Sequence, residues 1–409
     1  MPEWHRTLYT IWFTQFIALL GFYFVVPFIP CYVQQLGISD PREVVLWAGI
    51  ATSANPIAMA VMSPVWGVLS DRYGYKIMVV RASFAGAIIL ALMGLVTNVQ
   101  QLIVLRLAQG AFSGTIAATT TLVASTTPKE HSGMALGSLQ TAVFLGTSLG
   151  PLLGGLVGDN LGYRPSFWIT GALLLLSGLL VVFLVPKDPS PTDATARTRR
   201  ARSWADLKVL LGSGAALLPL LIARTLYRAA MQVPNPALPL FVQANMPPGT
   251  HVATVTGLIT GAFAVGSAAG SPLAGNWGDR LGYRRLLLFA GLAAGLFYLP
   301  QAFVRLPGWL LVWQLLAGLA IGGALAVLVA MLAHATPKGY EGAVFGLDAS
   351  AMGVANAIGP MLGASAAAAF GLQIPFALAA ATCVISTLLL MVQVGAADLL
   401  APVLKRRAP

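Results

Sequence analysis

The sequence predicts an all-α membrane protein of twelve transmembrane helices in two pseudo-symmetric six-helix bundles, and three observations carry that prediction. The first is composition: 57% of the 409 residues are hydrophobic and 9% charged, with a mean hydropathy of +0.80, too little polar surface for a globule in water. The second is a set of twelve apolar runs, each long enough to cross a hydrocarbon layer of about 30 Å. The third is an internal repeat. Gly67-Val-Leu-Ser-Asp71-Arg72-Tyr-Gly74-Tyr-Lys76 returns as Gly275-Asn-Trp-Gly-Asp279-Arg280-Leu-Gly282-Tyr-Arg284, each copy closing an apolar run. Pro27 to Gln34 likewise matches Pro236 to Gln243, and Thr127-Pro128-Lys129 matches Thr336-Pro337-Lys338. Two similar membrane-embedded halves suit alternating access about a central site.

The runs cover residues 7–34, 44–70, 77–97, 100–125, 133–158, 165–185, 213–242, 252–278, 286–304, 308–334, 342–371 and 374–395. Membrane helices tolerate the 43 glycines and 26 prolines because neighbouring helices re-satisfy freed backbone groups. The first run has no cleavage-type site and continues through Pro27 and Pro30, so it reads as a retained span. Cys31 and Cys383 fall inside apolar runs and read as packing residues, with no disulfide framework or metal site. Residues 1–186 form the expected first bundle and 209–409 the second, which ends in a short basic tail. Between them, 187–208 is polar and rich in Pro and Arg, a cytoplasmic linker with a mobile centre. Trp204 to Leu211 is mildly amphipathic and expected along the membrane surface.

Lys and Arg fix the expected orientation. With the N-terminus in the cytoplasm, that side collects Arg6, Arg72, Lys76, Arg81, Lys129, the linker cations, Arg280, Arg284, Arg285, Lys338 and the tail, leaving only Arg42, Arg164 and Arg305 outside. Both termini are therefore expected inside, in a multi-pass plasma (inner) membrane protein. The formal charge of +11 is then a topogenic signal and an attraction to anionic lipid headgroups. Nucleic-acid binding needs a soluble basic face, which this chain lacks.

In the cassette, Gly67 permits close helix approach, and Asp71 sits where it can meet an arginine or the positive end of a helix from the opposite half. Such a contact latches one of two states. Gly74 releases the chain into a tight turn, while Arg72 and Lys76 are expected to anchor it at the headgroups. Asp279 and Arg280 repeat the pattern. Topology alone is the other reading of these residues. Gly146, Gly150, Pro151, Gly154 and Gly155 form a small-residue seam with a bend at Pro151, repeated in part by Gly359-Pro360 and Gly363.

These motifs resemble those of the major facilitator superfamily. The paired cassettes look like its loop signature, and Arg106-Leu-Ala-Gln-Gly110 also matches that family; the run Gly146 to Gly155 looks like a motif of its drug:proton antiporter branch. Within that branch, the stretch Pro27 to Gly37 and the Trp66 loop look most like bacterial multidrug exporters of the MdtG type. The resemblance covers essentially the whole chain. It implies export, with a role for Arg106 in proton coupling. The acids that many relatives carry in helices 1, 4 or 5 are missing here.

Asp348 is the acid placed inside a span, about two turns into the eleventh helix, and is the expected proton-coupling residue beside Arg106. The remaining acids, Asp159 among them, are assigned to loops, ends or tails. Arg224 and Arg228, four apart, share one face of the seventh helix near the midplane. They suit either counter-ions to Asp348 or a site for an anionic substrate. His334 is a further titratable group near the end of the tenth helix. The expected cavity lining comprises Gln15, Tyr23, Phe112, Thr115, Arg224, Tyr227, Arg228, Asn235, Trp313 and Gln314, apolar walls with scattered polar groups. No nucleotide loop, nucleophile elbow or metal-ligand cluster is present, so the chain reads as a cofactor-free non-enzyme. The favoured function is a monomeric, proton-coupled exporter of lipophilic or amphipathic small molecules. Alternatives are a transporter of an anionic metabolite or lipid and a non-transporting sensor or scaffold.

Overall fold

The computed structural model describes residues 3–113, 115–128, 131–185, 217–247, 250–304, 306–336 and 341–393. Side chains at 3, 64, 67, 68, 71, 115–117, 121, 124, 125, 132, 133, 276, 279, 307, 341–343 and 393 fall outside that description. So do the linker, the amphipathic stretch Trp204 to Leu211 and the basic tail. Among the described residues all regular structure is helical.

Ten segments are long and apolar enough to cross a membrane, by length and composition. The first is made in pieces: α1 (Glu3–Phe24), a 3-10 turn (Val26–Phe28) and α2 (Ile29–Gln35). Pro27 and Pro30 sit in the first turns of the later pieces, where a missing N–H is harmless. Next come α3 (Pro41–Tyr73), capped by Asp40, and α4 (Tyr75–Met93). The fourth expected span is broken into α5 (Val99–Phe112) and α6 (Thr115–Thr126), followed by α7 (Ser132–Leu161) and α8 (Tyr163–Leu184).

In the second half, α9 (Leu217–Gln232) and α10 (Leu238–Ala244) share the seventh span, divided at Pro234 and Pro236. Then follow α11 (Val252–Leu281), α12 (Tyr283–Tyr298), α13 (Pro307–Ala335), α14 (Glu341–Phe370) and α15 (Ile374–Gln393). The two broken spans bring the count from ten to the expected twelve.

Each half has its own apolar core. Leu90, Met93, Leu102 and Phe167 anchor the first; Leu220, Tyr298, Ile321 and Leu328 anchor the second. The halves meet along two seams, α7 with α11 and α3 with α14. Their close approaches cluster at one end, called here the Asp159 face: Gly155 lies against Ala253, Gly257 against Pro151, and Gly49 against Ala364. Toward the opposite, Tyr73 face, a Cβ built at Gly137, Gly275 or Gly346 meets open space among the described residues. Among the described residues, the tight backbone contacts between the halves lie toward the Asp159 face.

Candidate functional site

The charged centre lies where α9 packs on α14. Gly359 and Gly363 make that packing possible: a Cβ at Gly363 would overlap the carbonyl oxygen of Val233, and one at Gly359 would crowd Gln232. On this seam Arg224 Nε lies 2.6 Å from Asp348 Oδ1, with the two side chains 11% and 9% exposed. A buried carboxylate requires such a partner. Arg228, one turn on, does not join the pair. Its Nε donates to Asn356 Oδ1 at 2.8 Å, an oxygen that also accepts from Gln232 Nε2 at 3.3 Å. Asn235 Nδ2 in turn donates to Gln232 Oε1 at 2.9 Å.

Asn356 is absent from the sequence-based site. Its signal was available: it follows Asp348 by about two helical turns and so shares its face.

The repeat offset of 209 residues makes Gln15 the counterpart of Arg224 and Leu139 that of Asp348. The ion pair is therefore confined to the second half. Gln15 is buried, and its Oε1 accepts from Thr119 Oγ1 at 2.8 Å. The glycine seams, by contrast, are conserved between halves in structure. Gly150 meets Tyr23 and Gly154 the carbonyl of Phe24, as Gly359 meets Gln232 and Gly363 the carbonyl of Val233.

Arg106 is 3% exposed. Its Nη1 donates to Gln109 Oε1 at 3.2 Å, one turn along its own helix; Nε and Nη2 have no hydrogen-bond partner among the described residues. The helix carrying it stops six residues later, where Ser113 turns extended. Two side chains take up the freed carbonyls. Trp66 Nε1 donates to Ala111 O at 2.6 Å, and Arg81 Nη2 reaches Phe112 O and Ser113 O at 3.4 and 3.3 Å. The Arg81 guanidinium also lies 3.3 Å from the centre of the Trp66 ring. Sequence reasoning placed Arg81 only as a topogenic charge.

Several expected cavity residues point elsewhere. Tyr227 is fully buried, and its hydroxyl pairs with Thr387 of α15. Gln314 is buried with its Nε2 on Gln301 Oε1 at 3.0 Å, and Trp313 packs near Phe297 of α12. These three face their own half. Tyr23 is half-buried beside Phe22, and Phe112 is exposed near Trp66. The Thr115 side chain lies outside the described residues.

In the cassette, Gly74 (φ +91°) and Gly282 (φ +84°) turn the chain in a conformation that a side chain would strain. Arg72 and Arg280 are exposed. Lys76 Nζ donates to Val182 O at 3.0 Å and to Val185 O, carbonyls at the C-terminal end of α8. The side chains of Asp71 and Asp279, and the surroundings of Gly67, lie outside the described residues. His334 is exposed and bonded through Nδ1 to Ala330 O at 2.7 Å.

Asp159 stands in the last turn of α7, the helix end to which the sequence assigns it, and its side chain is buried there between the halves. It borders a cleft of about 390 Å³ at its face, shared with Cys31, Gln34, Gln35, Tyr163, Gln243, Thr250 and Val252. None of the expected substrate-lining residues borders that cleft.

A family model described as Major Facilitator Superfamily matches residues 11–249 and again 220–405. The Multidrug resistance protein MdtG of Dickeya zeae is 33% identical over 384 residues, 94% of this chain and 93% of that protein. Its Salmonella typhimurium counterpart is 32% identical over 378 residues, covering 92% and 93%. Among solved structures, a bacterial homologue of the human lysosomal transporter Spinster, in an inward-facing and occupied conformation, superposes with a TM-score of 0.77 at 14% identity, covering 96% of each chain. A D-xylose-proton symporter gives 0.75 at 16% identity, covering 96% and 98%. The chain belongs to the Major Facilitator Superfamily.

Proposed function

We propose that this protein is a secondary active transporter that exports lipophilic or amphipathic small molecules in exchange for protons, by alternating access between its halves. The Asp348–Arg224 contact at 2.6 Å carries the coupling part of this reading. At depth in the membrane Asp348 has two ways of being neutralised, by Arg224 or by a proton. A movement of α9 against α14 that separates the pair exchanges one for the other, so proton binding follows conformation. Arg106, buried with free donors, is the second residue of this proton-coupling reading. Similarity to proteins named for multidrug resistance supports export of chemically varied substrates.

The Tyr73 face is the cytoplasmic one by the positive-inside rule, which makes the state described here inward-facing and both termini cytoplasmic. The protein acts as a monomer in the plasma (inner) membrane, its basic side against anionic lipid. The bundles extend over residues 1–186 and 209–409, joined by the linker 187–208. The Gly67–Lys76 and Gly275–Arg284 cassettes latch the halves at the cytoplasmic face when it closes, through Asp71 and Asp279. Arg224 is paired with Asp348, whereas Arg228, hydrogen-bonded to the neutral amide of Asn356, keeps its charge, and the anionic-substrate alternative rests on that one cation.

Purified protein in liposomes tests the function. A lipophilic cation added to one side should drive proton movement through the wild-type protein, and its absence would leave no case for proton coupling. Cysteines at Ser39 and Ser190 test the orientation: Ser39 should label with membrane-impermeant reagents from outside, and labelling of Ser190 from outside would reverse the topology.

A further inference from the structure

α3 and α11 are repeat counterparts that both begin at the Asp159 face, yet their N-termini are satisfied differently. α3 is capped within its own chain segment, Asp40 Oδ1 accepting from Arg42 N at 3.0 Å. The repeat counterpart of Asp40 is Gly249, and the N-cap residue of α11, His251, makes no side-chain cap bond. An N-cap side chain accepts from the second or third N–H of the helix. In α11 those belong to Ala253 and Thr254, and both donate to Asp159: Ala253 N to Oδ1 at 3.2 Å and Thr254 N to Oδ2 at 2.6 Å. Asp159 belongs to α7, in the other half.

The contact suits its place. A carboxylate at the positive end of a helix is favourable beyond its hydrogen bonds, and His251 Nδ1 adds a contact at 4.0 Å. Gly155, one turn back on α7, lets the helices come this near, because a Cβ there would overlap the carbonyl of Ala253. The 390 Å³ cleft bordered by Asp159, Tyr163, Cys31 and Gln243 reaches the edge of the contact.

We infer that Asp159 is a gate latch: an N-cap supplied by one half to a helix of the other, which holds the Asp159 face closed and must let go when that face opens. The latch concerns closure alone. It stands whatever solute is carried and whichever group binds the proton.

Spin labels at Gln100 and Gly308, exposed positions of opposite halves at this face, read its opening as a distance distribution. Asp159→Ala should enlarge the long-distance population several-fold, and Asp159→Asn, which keeps one acceptor, should give an intermediate shift if the Ala variant fails to fold. His251→Ser offers α11 a cap of its own that competes for the same N–H groups, so it should open the face with Asp159 intact. The double variant Asp159→Ala/His251→Ser separates latch from cap. It should regain thermal stability lost in Asp159→Ala while the long-distance population persists. Unchanged distances in the Asp159 variants, or a double variant that restores the closed face along with stability, would overturn the latch and leave a helix cap only.

Discussion

Gln34 and Gln243 occupy equivalent positions of the repeat and hydrogen-bond to each other, Nε2 to Oε1 at 3.1 Å. A contact between a residue and its own repeat counterpart lies on the pseudo-two-fold axis relating the halves. Together with Asp159 it marks the closed face, while Gly137, Gly275 and Gly346 look into open space at the other. Rocking of one half on the other about this region is the motion that alternating access requires.

Asp348→Asn should abolish accumulation of substrate against a gradient while leaving downhill exchange, because Asn mimics the protonated acid without exchanging a proton. Counterflow and pH-driven uptake in inverted vesicles measure the two activities separately. A variant that still concentrates substrate would remove Asp348 as the coupling acid and turn attention to His334.

Arg224→Ala leaves a buried carboxylate without its counter-charge, a loss of about 3–5 kcal/mol for a buried pair. Adding Asp348→Asn removes the orphan charge and should recover most of the thermal stability in detergent. Equal melting of the single and double variants would show that the two side chains do not pair as charges in the folded protein.

Arg106→Ala should abolish transport, with Arg106→Lys retaining part of it if charge at depth is the requirement, since Lys keeps the charge but loses the planar fork. Equal loss in both would point to guanidinium geometry. Near-normal transport by the Ala variant would reduce Arg106 to a structural residue.

Gly154→Ala and Gly363→Ala should each destabilise the protein by a few kcal/mol, because each methyl meets a neighbouring backbone carbonyl, which cannot move aside as a side chain does. Gly137→Ala, facing open space, should be neutral in the state described. Thermal melts rank the three, and a harmless Gly154→Ala would mean that α1 and α7 pack less closely than their backbone positions require.

Asp71→Asn should shift the balance between inward- and outward-open states while preserving the fold, since it removes a charge with little change in volume. Distances between labels on the two halves at the Tyr73 face report that balance. An unchanged distribution would leave the cassette as a topogenic signal.

What the sequence by itself determined are properties that sum along the chain: apolar runs that span a bilayer, the duplicated cassette, the glycine seams and the rarity of an acid such as Asp348 inside a span. The glycine seams and the burial of Asp348 recur in the structure because they depend on residue type and spacing alone. The positive-φ turn at Gly74 was legible for the same reason.

Tertiary structure decided which way side chains face. A helix as apolar as α13 carries little periodic signal to distinguish core, partner and lipid, so the inward turn of Gln314 to Gln301 is set by its packing; the hydroxyl of Tyr227 meets Thr387, a partner 160 residues away. The same holds for charge. Sequence put Arg224 and Arg228 on one face, but the crossing of α9 and α14 gave Asp348 to the first and Asn356 to the second. Asp159 shows the limit most clearly. Its partners are backbone N–H groups of another helix, and a main-chain amide has no letter in the sequence to reveal where it will stand.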